Sequence, residues 1–235
     1  MPDARALVLA PMRSELRPVV RALGARRASM AGIPVHRGTS GSTSVTVAMI
    51  GVGPDAARRS TERLLDAAEV DHVVVCGIAG GIAPDIEVGD LMTPAQVEDL
   101  STGRRFAPVP LGGYGQVGTI GTTHELILDE GRLADLVARG VVGLDMETAA
   151  VAEVCEERAV PWSVFRVVSD RPQDGLFEHG IMEMLESDGT VNVLRALKYV
   201  AVRPSRLRQL RRLARDFGGA ANRAARATVA ACATL

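Results

Sequence analysis

A chain of 235 residues, 47% hydrophobic and 23% charged, carries enough apolar mass for one large domain or two small ones. Its 27 basic and 28 acidic residues leave a net charge of −1, which excludes recruitment of nucleic acid by a global field. No apolar run approaches the ~20 residues of a membrane span, and Met1-Pro2-Asp3-Ala4-Arg5 lacks the layout of a leader.

Ala6–Ala10 is a short apolar run that predicts a buried strand. Pro11 to Glu15 then turns the chain into a helix whose apolar positions are Leu16, Val19, Val20 and Leu23, ending at Gly24. A second buried strand is predicted at Val45–Ile50, followed by Gly51-Val52-Gly53-Pro54-Asp55-Ala56 and a helix carrying Ala57, Thr61, Leu64 and Leu65. Val73–Cys76 predicts a third strand, which runs into the turn Gly77-Ile78-Ala79-Gly80-Gly81. Pro84–Leu100 reads as a strand, the Gly/Pro-rich stretch Thr102–Gly118 as a mobile loop, and Thr119–Thr122 as a further strand before a helix containing Ile127 and Leu128. Strands alternating with helices argue for a parallel α/β sheet covered on both faces. Three scattered cysteines (Cys76, Cys155, Cys232) read as reduced thiols of a cytoplasmic protein. The four histidines stand apart, without metal-ligand spacing, so no metal is expected; no organic cofactor is expected either.

The chemistry gathers further on. Gly143-Leu144-Asp145-Met146-Glu147 leads into the helix formers Thr148 to Val154, which puts Glu147 in a first helical turn. Trp162–Val168 has the length and composition of a buried strand and ends in Ser169-Asp170. Ligands of open α/β sheets sit outside the carboxyl ends of strands, so Asp170 stands where chemistry usually happens and Glu147 can reach the same crevice. Each also has a structural reading, Glu147 as a partner of the helix dipole and Asp170 as a loop cap. Gly51-x-Gly53-x-x-Ala56 matches a dinucleotide-binding fingerprint in form. The acidic residue that fingerprint requires at the end of the next strand is missing, because Asp71 precedes that strand. Gly77–Gly81 lacks the Lys-Ser/Thr of a P-loop.

Met12 and Glu15 after the first strand, Gly51-Val52-Gly53, Gly77–Gly81 followed by Ile86-x-Val88-Gly89-Asp90, Asp145-Met146-Glu147, and Arg166-Val167-Val168-Ser169-Asp170 stand in a fixed order. Together they resemble the nucleoside phosphorylase superfamily over about Ala6 to Asp174, and within it the 5′-methylthioadenosine/S-adenosylhomocysteine nucleosidases. The resemblance implies a single three-layer α/β/α domain with a mixed central sheet. It also implies release of adenine from a 5′-substituted adenosine, a small-molecule substrate, by a homodimer or larger homo-oligomer. By resemblance, Asp170 protonates the departing base and Ser169 helps to hold it. Glu147 binds the ribose hydroxyls, Met146 packs on sugar and base, and Glu15 positions the attacking water. Met12, Ile78, Ala79, Gly80, Leu126 and Ile127 line the substrate pocket, with Leu126 standing where the nucleosidases have a base-stacking phenylalanine. A serine of the glycine turn is replaced by Ile78, and the phosphate-binding arginine of bacterial phosphorylases by Val75. Neither side chain can donate to a phosphate, which favours hydrolysis over phosphorolysis, with Arg13 and Arg17 as the remaining anion ligands. A binding module without turnover is the reading from another class, and three filled carboxyl positions argue against it.

From Arg203 onward the composition shifts. Eight arginines between Arg203 and Arg226 face the single acid Asp216, and Leu207, Leu210, Leu213, Ala214 and Phe217 recur at helical spacing. The expectation is a catalytic domain over 1–202 and a basic amphipathic helical extension over 203–235. That extension either packs its leucines on the domain or docks on an anionic membrane surface. With Asp188-Gly189-x-Val191 ahead of it, the tail resembles the hopanoid-associated phosphorylases of the same superfamily, which makes removal of adenine from an adenosyl-lipid the rival assignment.

Overall fold

The computed structural model describes residues 4–171 and 207–235, with side chains from Arg215 onward in the second stretch. The centre of the fold is β5 (His72–Gly81), ten residues long. Its first half contains the β-branched run Val73–Val75, and such runs persist where both faces of a strand are buried. On one side it pairs in parallel with β11 (Trp162–Asp170) from Val73 to Gly80. It also pairs in parallel with β1 (Arg5–Ala10) over 72–75, and in antiparallel sense with β10 (Val141–Asp145) at Gly80 and Gly81. Outward from β1 lie β4 (Thr43–Met49), β3 (Ile33–Ser40) and the edge strand β2 (Arg26–Met30); outward from β10 lie β9 (Thr119–Thr122), β7 (Gln96–Asp99) and β8 (Arg105–Phe106). The short β6 (Leu91–Met92) closes on β11. The sheet is mixed, as the family resemblance implies.

One apolar layer joins the sheet to α2 (Pro54–Ala67) and α4 (Thr148–Glu157), through Ala57, Leu64, Val151, Ala152 and Cys155. The other joins it to α1 (Arg13–Leu23) and α5 (Leu207–Cys232), through Leu16, Val19, Ala220, Ala224, Ala225 and Ala231. α3 (Glu130–Ala138) packs Leu133 and Leu136 with Val141 of β10.

Several expectations need correction. The strand predicted to stop at Cys76 continues through Gly81, because its glycines are hydrogen-bonded to β10 and β11 and are not turns. Likewise Ser169 and Asp170 lie inside β11, not beyond it. Ile127 and Leu128 precede α3, whose start is fixed by the Asp129 carboxylate accepting the Arg132 N–H at 2.7 Å. The Thr102–Gly118 stretch is strapped down. Val109 N–H reaches Trp162 O, Gln116 bonds to Pro94 O and Pro108 O, and Tyr114 meets Phe165 edge-on at 5.4 Å. The β2–β3 hairpin has no counterpart in the sequence reading. Beyond these corrections, the described part of the 203–235 segment lies against the sheet: Ala220, Ala224 and Cys232 are fully or almost fully buried against β1, β5 and β11. The Asp188-Gly189-x-Val191 segment, Arg203, Arg206, and the side chains of Leu207 to Ala214 lie outside the described residues. Among the described residues no helix is long and apolar enough to cross a membrane.

Candidate active site

β1 and β10 pair with opposite ends of β5 and leave a gap between residues 75 and 80 of that strand. The backbone groups exposed there need partners. Ile78 N–H finds one in the Glu15 carboxylate, Oε1 at 2.8 Å, while Oε2 accepts Met12 N–H at 3.0 Å. Glu15 therefore enters the gap from the first turn of α1 and is 2% exposed. It can do so only because residue 77 is a glycine: a Cβ there would stand 2.1 Å from Glu15 Oε1 and 2.5 Å from Arg166 Nη1. Gly77→Ala is expected to displace Glu15, lower kcat/KM at least tenfold and cost about 1–3 kcal/mol of stability, the usual range for overpacking. Steady-state kinetics beside a urea melt tests this, and wild-type kinetics would show that the carboxylate has room to spare.

Glu147 does not stand in the first turn of α4. It is the residue just before it, with φ −133° and ψ −30°, and its side chain leaves the helix instead of capping it. Oε1 accepts Gly53 N–H at 2.9 Å, so the N–H that a dinucleotide fingerprint would aim at a pyrophosphate is committed to a carboxylate. The N-terminus of α4 is served by Asp145, which accepts from Thr148 N–H and from the Thr148 hydroxyl, and also from Thr122 Oγ1 at 2.7 Å.

Arg166 joins these carboxylates. Its side chain is 0% exposed, with Nε 3.0 Å and Nη2 2.7 Å from Asp145 Oδ2, Nη2 3.4 Å from Glu147 Oε2, and Nη1 3.6 Å from Glu15 Oε1. Nη1 is buried without a hydrogen-bond partner. Burial disfavours a charged guanidinium, but Asp145, Glu147 and Glu15 more than compensate and raise its pKa. Three acids around one cation cannot all ionise cheaply. Burial pushes Glu15 and Glu147 each up to about 7, against the pull of Arg166. The sequence reading quotes Asp145 and Arg166 within its motifs but gives neither a role.

Glu15 thus binds its proton more tightly in the folded chain than in the unfolded one. The folded state gains at low pH and loses that advantage as pH rises from 4.5 through about 7. Glutamine at this position removes the titration. The stability gap between wild type and Glu15→Gln is expected to swing by about 3 kcal/mol toward the variant between about pH 4 and pH 8. Urea melts of both proteins at the two pH values measure the swing; a constant gap would mean that Glu15 ionises normally.

The carboxyl groups open on a cavity of about 210 Å³. Asp170, Glu15, Glu147, Met146, Ser169, Ile78, Ala79, Gly80, Leu126, Ile127 and Met12 all line it, together with Asp145, Val52, Leu144 and Phe217. Asp170 is 6% exposed, and the Ser169 hydroxyl donates to its Oδ1. Leu126 is 40% exposed at the rim. Neither Arg13 nor Arg17 reaches the wall, and Val75 is buried in β5 away from it. Among the described residues no set of three His, Cys, Asp or Glu side chains could hold a metal ion.

The model of the phosphorylase superfamily matches residues 5–117 and 114–201, most of the chain. The chain belongs to the phosphorylase superfamily. Curated members of similar sequence include the 5′-methylthioadenosine/S-adenosylhomocysteine nucleosidase of Haemophilus ducreyi, 26% identical over 60% of this chain and 73% of its own length. The enzyme of the same name from Shewanella piezotolerans is also 26% identical, over 62% and 76%. Among solved structures, the Colwellia psychrerythraea nucleosidase with adenine superposes with a TM-score of 0.74 at 21% identity, covering 99% of this chain and 96% of that one. Helicobacter pylori futalosine hydrolase gives 0.71 at 19%, covering 97% and 96%. At these identities the superpositions establish the three-layer fold of the superfamily.

Proposed function

We propose that this superfamily member is a purine nucleosidase that hydrolyses the N-glycosidic bond of a 5′-substituted adenosine and releases adenine. The observation that carries the reading is the make-up of the cavity wall. Five carboxyl groups (Glu15, Glu125, Asp145, Glu147, Asp170) line it and, among the described residues, no lysine or arginine does. A phosphate nucleophile needs cationic or N–H partners, and the nearby guanidinium of Arg166 is already enclosed by carboxylates. An oxocarbenium-like sugar, in contrast, is stabilised by surrounding negative charge.

Asp170 protonates the leaving base, with the Ser169 hydroxyl fixing its Oδ1. Glu147 holds the ribose hydroxyls, with Gly53 N–H and Arg166 setting its carboxylate. Glu15, with a pKa near 7, takes the proton of the attacking water; a base tuned close to working pH is the efficient choice. Met12, Ile78 and Leu126 offer apolar surface to base and 5′ substituent. The curated relatives named for 5′-methylthioadenosine and S-adenosylhomocysteine support this substrate class.

The experiment is to incubate the protein with 5′-methylthioadenosine, S-adenosylhomocysteine and a 5′-alkyl adenosine, with and without inorganic phosphate, and follow free adenine. Release in phosphate-free buffer with formation of the free sugar is expected. Strict phosphate dependence, with a ribose 1-phosphate product, would overturn the hydrolytic assignment.

A further inference from the structure

The net charge of −1 hides a division between the two helical layers. α1 and α5 together carry nine arginines in sequence against two acids, Glu15 and Asp216, and Glu15 is buried in the active site. On the opposite face of the sheet α2 and α4 carry six acids and three arginines. α1 and α5 pack on the same side of the sheet, burying Leu16, Val19, Ala220, Ala224 and Ala225, so their outer faces look the same way. Those faces show Arg17 and Arg21 on α1, and Arg215, Arg223 and Arg226 on α5, all exposed. None of the five has a carboxylate partner among the described residues. On α2 and α4, by contrast, Arg58 is paired with Glu62, Glu153 and Glu157. Arg59 and Arg63 of α2 are exposed too, but they stand in a layer where acids outnumber arginines, whereas the five arginines of α1 and α5 stand where arginines dominate.

We propose that the α1/α5 layer is a docking surface for an anionic lipid bilayer. Guanidinium groups bind phosphate oxygens bidentately, and the arginines are spread over the outer faces of two packed helices, which suits an extended headgroup plane. Binders of single-stranded nucleic acid add stacked aromatics to their basic grooves. The described aromatics that could serve are engaged elsewhere, Tyr114 against Phe165 and Phe217 in the cavity wall. The exposed arginines described on the two helices make the proposed attachment electrostatic and peripheral.

The test is co-sedimentation of the full-length protein with phosphatidylcholine vesicles, with vesicles in which a third of the lipid is phosphatidylglycerol, and, in a parallel arm, retention on double-stranded RNA at matched phosphate. Binding to the anionic vesicles alone is expected, falling steeply with added salt. The variant Arg17→Gln/Arg21→Gln/Arg223→Gln should bind those vesicles about 100-fold more weakly, roughly fivefold per arginine removed, with unchanged turnover of a soluble nucleoside. Arg59→Gln/Arg63→Gln, on the opposite layer, should bind as wild type does. Absence of sedimentation, equal losses in the two variants, or preferential retention on RNA would each overturn the proposal.

Discussion

Asp170→Asn is expected to abolish base release, with turnover lower by roughly 10²–10⁴-fold, the usual contribution of general acid catalysis. The two side chains have the same shape, and Asn can keep the contact with the Ser169 hydroxyl at the end of β11. What it cannot do is deliver a proton to the departing base. The melting temperature should therefore stay within a few degrees of wild type while adenine release disappears. A variant with wild-type turnover and an unchanged fold would remove Asp170 from the mechanism.

The largest stability effect is expected at Arg166. Methionine fills much of the same volume but leaves Glu15, Asp145 and Glu147 buried together without a cation. Removing one partner of a buried ion pair costs about 3–5 kcal/mol, because the remaining charge is stranded. Arg166→Met should lose that much at pH 8 and distinctly less at pH 5. At the lower pH Glu15 and Glu147, whose pKa values are about 7 even with Arg166 present, take up protons. Glu147→Gln introduced into Arg166→Met should restore part of the loss at pH 8. A loss below about 1 kcal/mol at both pH values would mean that the cluster is stable without its cation, as some buried ion-pair replacements are.

The strands β1, β5 and β11 were legible because both of their faces are largely buried and they carry near-continuous apolar runs, and β4 because Val45, Val47 and Ala48 are buried in it. The hairpin was not. Arg-Arg-Ala-Ser-Met at the sheet edge buries only Met30, and nothing in its composition separates it from a loop. Gly77–Gly81 misled for a physical reason. Glycine usually marks a turn, but at Gly77 it marks a strand position where another side chain occupies the space of a Cβ. Ile127 and Leu128 misled because apolar spacing can come from a cavity wall as well as from a helix face. The candidate site divides along similar lines. Glu15, Glu147 and Asp170 stand at element ends, where sequence pattern and family resemblance both point. Asp145 and Arg166 act through one another inside the sheet, and pairing across 21 residues leaves no periodic trace. A signal was present even so. Arg166 is the one basic residue in the nine-residue run of β11, and arginines are almost never fully buried unless paired.

The alanine face of α5 has a consequence for how the chain becomes a protein. Ser40 donates its hydroxyl to Val229 O, a contact spanning 189 residues, and Gly41 lies against Ala233. One side of β1, β5 and β11 is therefore covered in part by Ala220 to Cys232, far along the chain from β1. During synthesis α1 can cover its share of that apolar face early, but the rest has nothing to pack against until Ala220 to Cys232 have been made. Contacts of such long range are slow to form, so the nascent chain passes through a stage in which the part of its core under α5 is open to water. β1 is made long before the α5 residues that cover it.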